Sequence, residues 1–155
     1  MKRFVSISVV ALLLLFTTAQ AQGNWFGVRT GYPLGGTLHY GIENALSNGF
    51  DLRVGLNLSA RGNSLDFGLG VDALNTVYIE RPFEVYVGGG LAVDFGGGGT
   101  LLDAHGLAGG EFRFTDVGLS PLGLFAELSL GAAIGIGRSS IIPSFGGGLG
   151  INWHF

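Results

Sequence analysis

The sequence contains no cysteine, and Lys2 is its single lysine. The missing cysteine excludes disulfides, thiolate chemistry and cysteine-based zinc sites. With 4 prolines and no Gly-X-Y period, the 155-residue chain is not collagen-like despite its 30 glycines. Charged residues make up 12%, compared with about 25% in typical globular domains. Because 47% of the residues are hydrophobic, disorder is excluded, and the scarcity of charge is not typical of a soluble domain.

The N-terminus has the pattern of a secretory signal. Lys2 and Arg3 precede an apolar run over 4–16, and the small residues that follow end in an A-x-A site at Ala21. We therefore predict a signal peptide over 1–21 and a mature chain over 22–155. The alternative is a membrane anchor, which needs about 20 apolar residues, more than this run provides. In the mature chain the acids outnumber the arginines and no basic patch exists, which argues against a nucleic-acid partner.

Hydrophobic residues alternate with polar or small ones throughout the mature chain. From Phe50 to Leu58 every even position is apolar, and the segments 122–136 and 141–155 repeat this period of two. Such alternation predicts β-strands with one apolar face, and no segment has a helical period. Eight strands are predicted, over 25–32, 36–43, 50–58, 64–73, 83–95, 101–114, 122–136 and 141–155.

The distribution of charge indicates what the apolar face contacts. The charges that fall in strands all lie on the polar face: Arg29, Glu43, Asp51, Arg53, Asp66, Asp72, Glu84, Asp94, Asp103, Glu111, Arg113 and Glu127. The other charges of the mature chain fall in connections: Arg61, Glu80, Arg81, Asp116 and Arg138. A soluble barrel with its apolar face inward would place charges, lysine above all, on its outside. The sequence instead predicts an all-β protein, an eight-stranded antiparallel up-and-down transmembrane β-barrel with a polar lumen.

The aromatic residues of the apolar face fall near strand ends, as in the interfacial girdles of membrane barrels. The predicted periplasmic girdle contains Phe26, Phe50, Phe83, Phe112, Phe114, Trp153 and Phe155. The predicted outer girdle contains Tyr32, Phe95 and Phe145. Phe67 is predicted to lie in the middle of its strand.

The C-terminal segment 148–155 resembles the terminal-strand signal of bacterial outer-membrane barrels. Gly150, Trp153 and Phe155 match it, whereas Gly148 stands where the family usually has a polar residue. Together with the predicted signal peptide and strand number, the chain resembles the small barrels of the OmpA-like, OmpX-like and opacity-type group. This resemblance implies a bacterial outer-membrane location, contact with outer-membrane lipid and transient binding by the barrel-assembly machinery. We expect a monomer.

The glycine-rich stretches lack the spacing of nucleotide-binding loops, and no cofactor is predicted. Inward glycines are instead expected to make room for large inward side chains, such as Trp25, Tyr86 and Phe125. Arg29 and Glu127 are predicted to form an ion pair across the lumen. Two explanations remain open for the acids of the outer mouth: solvation by water and mobile cations, or a weak candidate cation site formed by Asp66, Asp94, Asp103 and His105.

The sequence favours a structural or envelope-maintaining role with a filled, acidic lumen. A narrow cation-preferring channel is the alternative, and a lipid A modifying enzyme is the third. No catalytic residue is predicted, because none of the three histidines precedes a serine by two residues as in the barrel deacylases. The outward connections, near 33–35, 59–63, 96–100 and 137–140, are too short for an adhesin, and 74–82 is predicted to be the longest periplasmic link.

Overall fold

The computed structural model describes residues 23–32, 35–46, 49–61, 64–96, 99–114, 118, 121–136 and 141–155. The predicted signal peptide, 1–21, lies outside these residues, as do Asp116 and Arg138. The strands are β1 (Asn24–Tyr32), β2 (Gly35–Leu46), β3 (Phe50–Arg61), β4 (Ser64–Glu80), β5 (Phe83–Gly96), β6 (Gly99–Arg113), β7 (Leu122–Gly135) and β8 (Ile141–His154). The described residues include no helix with the length and apolarity needed to span a bilayer.

The eight strands form one closed antiparallel barrel in sequence order. β8 closes it by pairing with β1, with His154 opposite Trp25 and Gly147 opposite Tyr32. Closure gives every strand a partner on both sides, which is the arrangement that hides backbone polar groups from lipid. The predicted fold class is therefore confirmed.

Alternate residues point into and out of the barrel, as the period of two requires. On β7, Phe125 and Glu127 are 2% and 3% exposed, whereas Leu128 and Leu130 are 72% and 73% exposed. The described strands expose large apolar side chains around the whole circumference, among them Phe26, Leu58, Leu91 and Leu149. The described strands thus have the predicted apolar exterior and hold most of their charges inside, and the exception is Glu80, which is exposed at the end of β4.

The predicted long link over 74–82 is wrong. β4 continues to Glu80, whose partner on β5 is Phe83, so residues 81–82 alone connect the two strands. The register shifts between Thr76 and Tyr78. This bulge interrupts the alternation of the sequence, and for that reason the pattern ended the strand too early. Glu80 therefore belongs to the end of a strand, and 114–121 is a longer link than 81–82.

Aromatic pairs lie at both rims of the barrel. On the outer side Tyr32 stacks on Phe145, with ring centroids 5.3 Å apart. Phe67 stacks on Phe95 at 5.1 Å, so Phe67 belongs to the outer girdle and its predicted mid-strand position is wrong. On the periplasmic side Phe83 and Phe112 meet edge to face at 5.0 Å. The predicted girdles are thus occupied at both ends.

Inward glycines leave room for large side chains on the neighbouring strands. The Trp25 ring lies over Gly41, and the Tyr86 ring lies over Gly109. The Phe125 ring covers Gly150 in the same way. A methyl group at any of the three glycines would overlap with the ring. This pairing of glycine with an inward aromatic residue fills the interior of a narrow barrel, as the sequence predicted.

Candidate functional site in the barrel lumen

Glu127 is the centre of the polar interior. Its carboxylate accepts hydrogen bonds from both terminal nitrogens of Arg53, at 2.7 and 3.1 Å, and from the hydroxyl of Tyr86 at 3.1 Å. The Arg29 guanidinium pairs with the same carboxylate, which is the ion pair that the sequence predicts. The Glu127 side chain is 1% exposed. A carboxylate this deeply buried depends on such partners, because its desolvation costs several kcal/mol.

The network continues from Arg53 toward the outer mouth. Its Nε donates to Asp72 at 2.9 Å, and Asp72 contacts Nε2 of His105 at 3.1 Å. Nδ1 of His105 lies 2.7 Å from Asp103. Because carboxylates only accept, the imidazolium is the form of His105 that satisfies both contacts. The network then balances three cations against three carboxylates: Arg29, Arg53 and His105 against Glu127, Asp72 and Asp103.

A second network lies toward the periplasmic mouth. Glu111 is its centre and contacts Nε2 of His154 at 2.6 Å and Nδ2 of Asn152 at 3.0 Å. The Asn152 carbonyl oxygen lies 2.8 Å from Nε2 of His39. These contacts form a chain from His154 through Glu111 and Asn152 to the buried His39.

Two cavities lie along the lumen. The outer cavity has a volume of about 330 Å³ and the inner one about 30 Å³, which is room for roughly one water molecule. Arg53 lines both cavities. Tyr86 lines the inner cavity, and Arg29 and His39 line the outer one. The layer of side chains around Arg53 and Glu127 therefore separates the outer cavity from the nearly filled periplasmic half of the lumen.

The residues of the candidate cation site are only partly brought together. Asp103 and His105 are in contact, and their third partner is Asp72. Asp94 lies over Gly68, and Asp66 lies over Gly96. The described residues contain no group of three carboxylate or imidazole side chains with the geometry to hold a metal ion.

The three histidines hydrogen-bond to acids and an amide. His39 contacts Asn152, His105 contacts Asp72 and Asp103, and His154 contacts Glu111. Ser139 and Ser140, which belong to the predicted outward connection near 137–140, lie outside the described residues. The structure thus gives these histidines positions in the two polar networks.

The sequence predicts which residues point into the lumen better than it predicts where they lie along the barrel axis. With the strand predicted to end at 73, the sequence places Asp72 at the periplasmic mouth, yet Asp72 lines the outer cavity beside His105, because β4 continues to Glu80. The sequence predicts His39 toward the outer rim, and it does line the outer cavity, while its Nε2 lies 2.8 Å from the Asn152 carbonyl oxygen of the second network. Tyr86 and Asn152 were not expected to join the networks. The alternation of the sequence indicates that Tyr86 and Asn152 point inward, but it carries no information about which residues they contact.

The C-terminal residues close the barrel. Gly150 lies beneath the Phe125 ring, whereas Trp153 and Phe155 point outward with 47% and 65% of their surface exposed. The backbone of Phe155 exchanges two hydrogen bonds with Asn24, at 2.9 and 3.0 Å. The segment that resembles the assembly signal is therefore also the closing edge of the barrel.

The sequence matches no family model and no curated protein. Solved structures do match. The N-terminal β-barrel domain of Pseudomonas aeruginosa OprF aligns with a TM-score of 0.56 and 18% identity, over 86% of this chain and 96% of that chain. Neisserial surface protein A aligns with a TM-score of 0.54 and 14% identity, over 86% and 94%.

The outer membrane enzyme PagL aligns with a TM-score of 0.50 and 9% identity, over 84% of this chain and 98% of that chain. At these identities the likeness concerns the fold. The closed barrel of eight antiparallel strands and these three neighbours give the chain the fold of the small eight-stranded outer-membrane β-barrels.

Proposed function

We propose that the protein is a structural, envelope-maintaining barrel of the bacterial outer membrane with a closed, acidic lumen. The observation that carries this proposal is the layer in which Arg29, Arg53 and Tyr86 surround Glu127 between the two cavities. Ion pairs and an aromatic ring that cross a narrow barrel favour a rigid barrel over a lumen through which solutes pass. The short outward connections offer little surface for a large partner.

Ion conductance in planar lipid bilayers tests this role. We expect the purified wild-type protein to insert without discrete conductance steps. A deletion strain should at the same time become more permeable to small dyes. A deletion strain with an unchanged envelope would contradict the structural role.

A narrow cation-preferring channel is the second candidate. It is favoured by Arg53, which lines both cavities, because displacement of Arg53 together with the side chains around Glu127 would connect them. The acids along the lumen would then select cations. Discrete steps whose reversal potential favours K⁺ over Cl⁻ would support the channel and contradict a closed lumen.

A lipid A modifying enzyme is the third candidate, since one neighbour in fold is the outer membrane enzyme PagL. Among the described residues, the hydrogen bonds of the histidines lead to carboxylates and an amide, and none of these bonds joins a histidine to a serine nucleophile. Mass spectrometry of lipid A from cells with and without the protein tests it. We expect identical spectra, and a loss or gain of an acyl chain would replace the structural proposal.

We also propose that the C-terminal strand is read by the barrel-assembly machinery during outer-membrane insertion, and that the folded protein is a monomer. Replacing Trp153 and Phe155 together by alanine should reduce the heat-modifiable folded form in the outer membrane while export continues. Phe145→Ala is the matched control, because it removes an outward aromatic side chain from the other end of the same strand. Equal levels of the double variant and this control would contradict the proposal.

A further inference from the structure

Asp72 and His105 lie on strands that are not neighbours, yet their side chains meet inside the barrel. Asp72 of β4 is the cross-strand partner of Gly90 of β5, and Gly90 is the partner of His105 of β6. Nε2 of His105 lies 3.1 Å from Oδ1 of Asp72, so the contact passes over Gly90. A Cβ at position 90 would overlap with this carboxylate oxygen. The glycine therefore provides the space in which β4 and β6 are linked across β5.

The link belongs to a longer chain of charged contacts. Nδ1 of His105 lies 2.7 Å from Asp103 on the same strand. Oδ2 of Asp72 accepts a hydrogen bond from Nε of Arg53 on β3 at 2.9 Å, and Arg53 in turn donates to Glu127 on β7. Among these groups the imidazole is the one that ordinarily gains or loses its charge between about pH 5 and pH 8. The state of the chain of contacts therefore depends on the proton of His105.

Loss of that proton forces one of the two contacts of His105 to break. A neutral imidazole has one N–H group and one lone pair, whereas a carboxylate only accepts hydrogen bonds. One ring nitrogen would then face a carboxylate oxygen without a hydrogen between them, which is repulsive. The contact with Asp103 is the shorter of the two, and Asp72 keeps Arg53 as a partner for its other oxygen. The contact across β5 is therefore the one that is released.

The charged and titratable groups around His105 come from strands β1 to β7. They are Arg29 of β1, His39 of β2, Arg53 of β3, Asp66 and Asp72 of β4, Asp94 of β5, Asp103 of β6 and Glu127 of β7. The described residues of β8 add no titratable side chain to the lining of the outer cavity. Carboxylates and guanidinium groups ordinarily keep their charge between about pH 5 and pH 9. His39 contacts an amide oxygen, and its neutral form keeps that contact. His105 is therefore the group whose protonation rearranges its contacts.

We propose that His105 forms a pH-sensitive bridge that ties β4 to β6 in the outer half of the barrel. As an imidazolium it binds Asp72 and Asp103 at once, and as a neutral imidazole it keeps Asp103 and releases Asp72. The bridge stabilises the folded barrel while His105 is charged, and this contribution is lost as the pH rises and the proton leaves. The proposal adds a response to pH to the structural role and does not depend on that role.

The first test follows the histidine ring and the backbone in one NMR titration. The barrel is labelled with ¹⁵N, folded in neutral dodecyl maltoside micelles and titrated from about pH 5 to pH 9, the range that brackets the ordinary titration of histidine. The ring signals of His105 are identified by their absence in His105→Gln. We expect these ring nitrogens to titrate within the range, and the amide signals of Asp72 and Gly90 to shift with the same midpoint.

The second test compares stability at the two ends of this range. From the acidic to the alkaline end, the ratio of folded to unfolded protein at a fixed urea concentration should fall at least about fivefold more in the wild type than in His105→Gln, because a hydrogen bond to a charged group is lost. His39→Gln is the matched control, since it removes the other histidine of the outer cavity, and it should keep the pH response of the wild type. Both variants retain the remaining charges, including Arg61 and Arg138 of the predicted outward connections, so their difference reports on His105.

A glycine variant tests the geometry of the bridge without changing any charge. Gly90→Ala places a methyl group where Asp72 meets His105, so the Asp72 amide should no longer follow the titration of the ring. Gly70→Ala adds a methyl group beside the same cavity, where the nearest atom is 3.5 Å away, and this control should leave the coupling intact. If Gly90→Ala fails to fold, His105→Gln decides by itself.

The proposal is overturned if His105 does not titrate within the range, or if the Asp72 and Gly90 amides do not follow it. Equal pH dependence of the wild type and His105→Gln would also overturn it, as would an equal loss of the response in His39→Gln or a coupling that survives Gly90→Ala. Conductance and envelope permeability, which test the structural role, are not measured in these experiments. Failure of one proposal is therefore distinguishable from failure of the other.

Discussion

The two halves of the lumen are built from the same alternating pattern but have different interiors. The periplasmic half holds the buried cluster of Trp25, Leu74, Tyr86 and Leu107, and its cavity is about 30 Å³. The outer half holds short acids, serines and glycines around a cavity of about 330 Å³. The boundary is the layer around Glu127. Alternation decides that a residue points inward, and the volume of the inward residues decides whether a barrel is filled or hollow.

The largest effect should come from breaking the boundary between the halves. Glu127→Ala leaves the buried Arg53 and the half-buried Arg29 without their shared carboxylate, so we expect the free energy of unfolding to fall by about 3 to 5 kcal/mol. Urea titration of the barrel in lipid vesicles measures this. Asp94→Asn, which changes the same charge in the open outer cavity, is the control and should cost less than about 1 kcal/mol. Equal losses would mean that the two halves do not differ in burial.

The second effect concerns the lipid-facing exterior of the barrel, which continues along both halves. Leu128 is 72% exposed on the lipid-facing side of β7, so Leu128→Arg should cost roughly 2 to 4 kcal/mol near mid-membrane. The neighbouring Ser129 lines the outer cavity. In Ser129→Arg the new guanidinium would therefore lie among the carboxylates of that cavity. The same urea titration compares the two variants. If both fold equally well, the assignment of the faces is wrong.

The third effect is smaller and compares a glycine in the filled periplasmic half with a glycine beside the outer cavity. A Cβ at Gly109 would lie 2.5 to 2.8 Å from the Tyr86 ring, which must then move away from Glu127. We expect Gly109→Ala to cost about 1 to 3 kcal/mol. At Gly70, beside the outer cavity, the nearest atom to a new Cβ would be the Ala92 methyl at 3.5 Å. Gly70→Ala should therefore be nearly neutral, and a similar cost at both positions would contradict the comparison.

The smallest effect is expected at the outer mouth. Asp66 Oδ1 is buried and has no hydrogen-bond partner among the residues that the structure describes. Replacing the carboxylate by an amide in Asp66→Asn lowers the repulsion among the cavity acids. We expect unfolding free energy to change by no more than about 0.5 kcal/mol, or to rise slightly. A loss above about 1 kcal/mol would show that Asp66 holds the outer half together.

The fold was predictable because its signals are local. Strand number, the alternation of faces and the girdles follow from a period of two that each segment carries by itself. The bulge between Thr76 and Tyr78 is the exception, since it breaks the period within one strand. The extension of β4 to Glu80 was therefore missed, although each half of the strand alternates correctly.

The partners inside the lumen were less predictable for a physical reason. Sliding one strand by two residues keeps every side chain on its face but changes which residues meet. The sequence could therefore place Asp72 and His39 inside the barrel, but it could not give the height of Asp72 or the contact of His39 with Asn152. Arg29 and Glu127 are both inward residues near the middle of their strands, and they are indeed brought together.

The sequence by itself determined a closed eight-stranded barrel with an apolar exterior, because solvent preference and strand period act residue by residue. The register around the barrel decided the rest: the shared carboxylate of Glu127 and the bridge from Asp72 through His105 to Asp103. These features join residues far apart in the chain. Their positions depend on the stagger of all eight strands at once, which no single segment encodes.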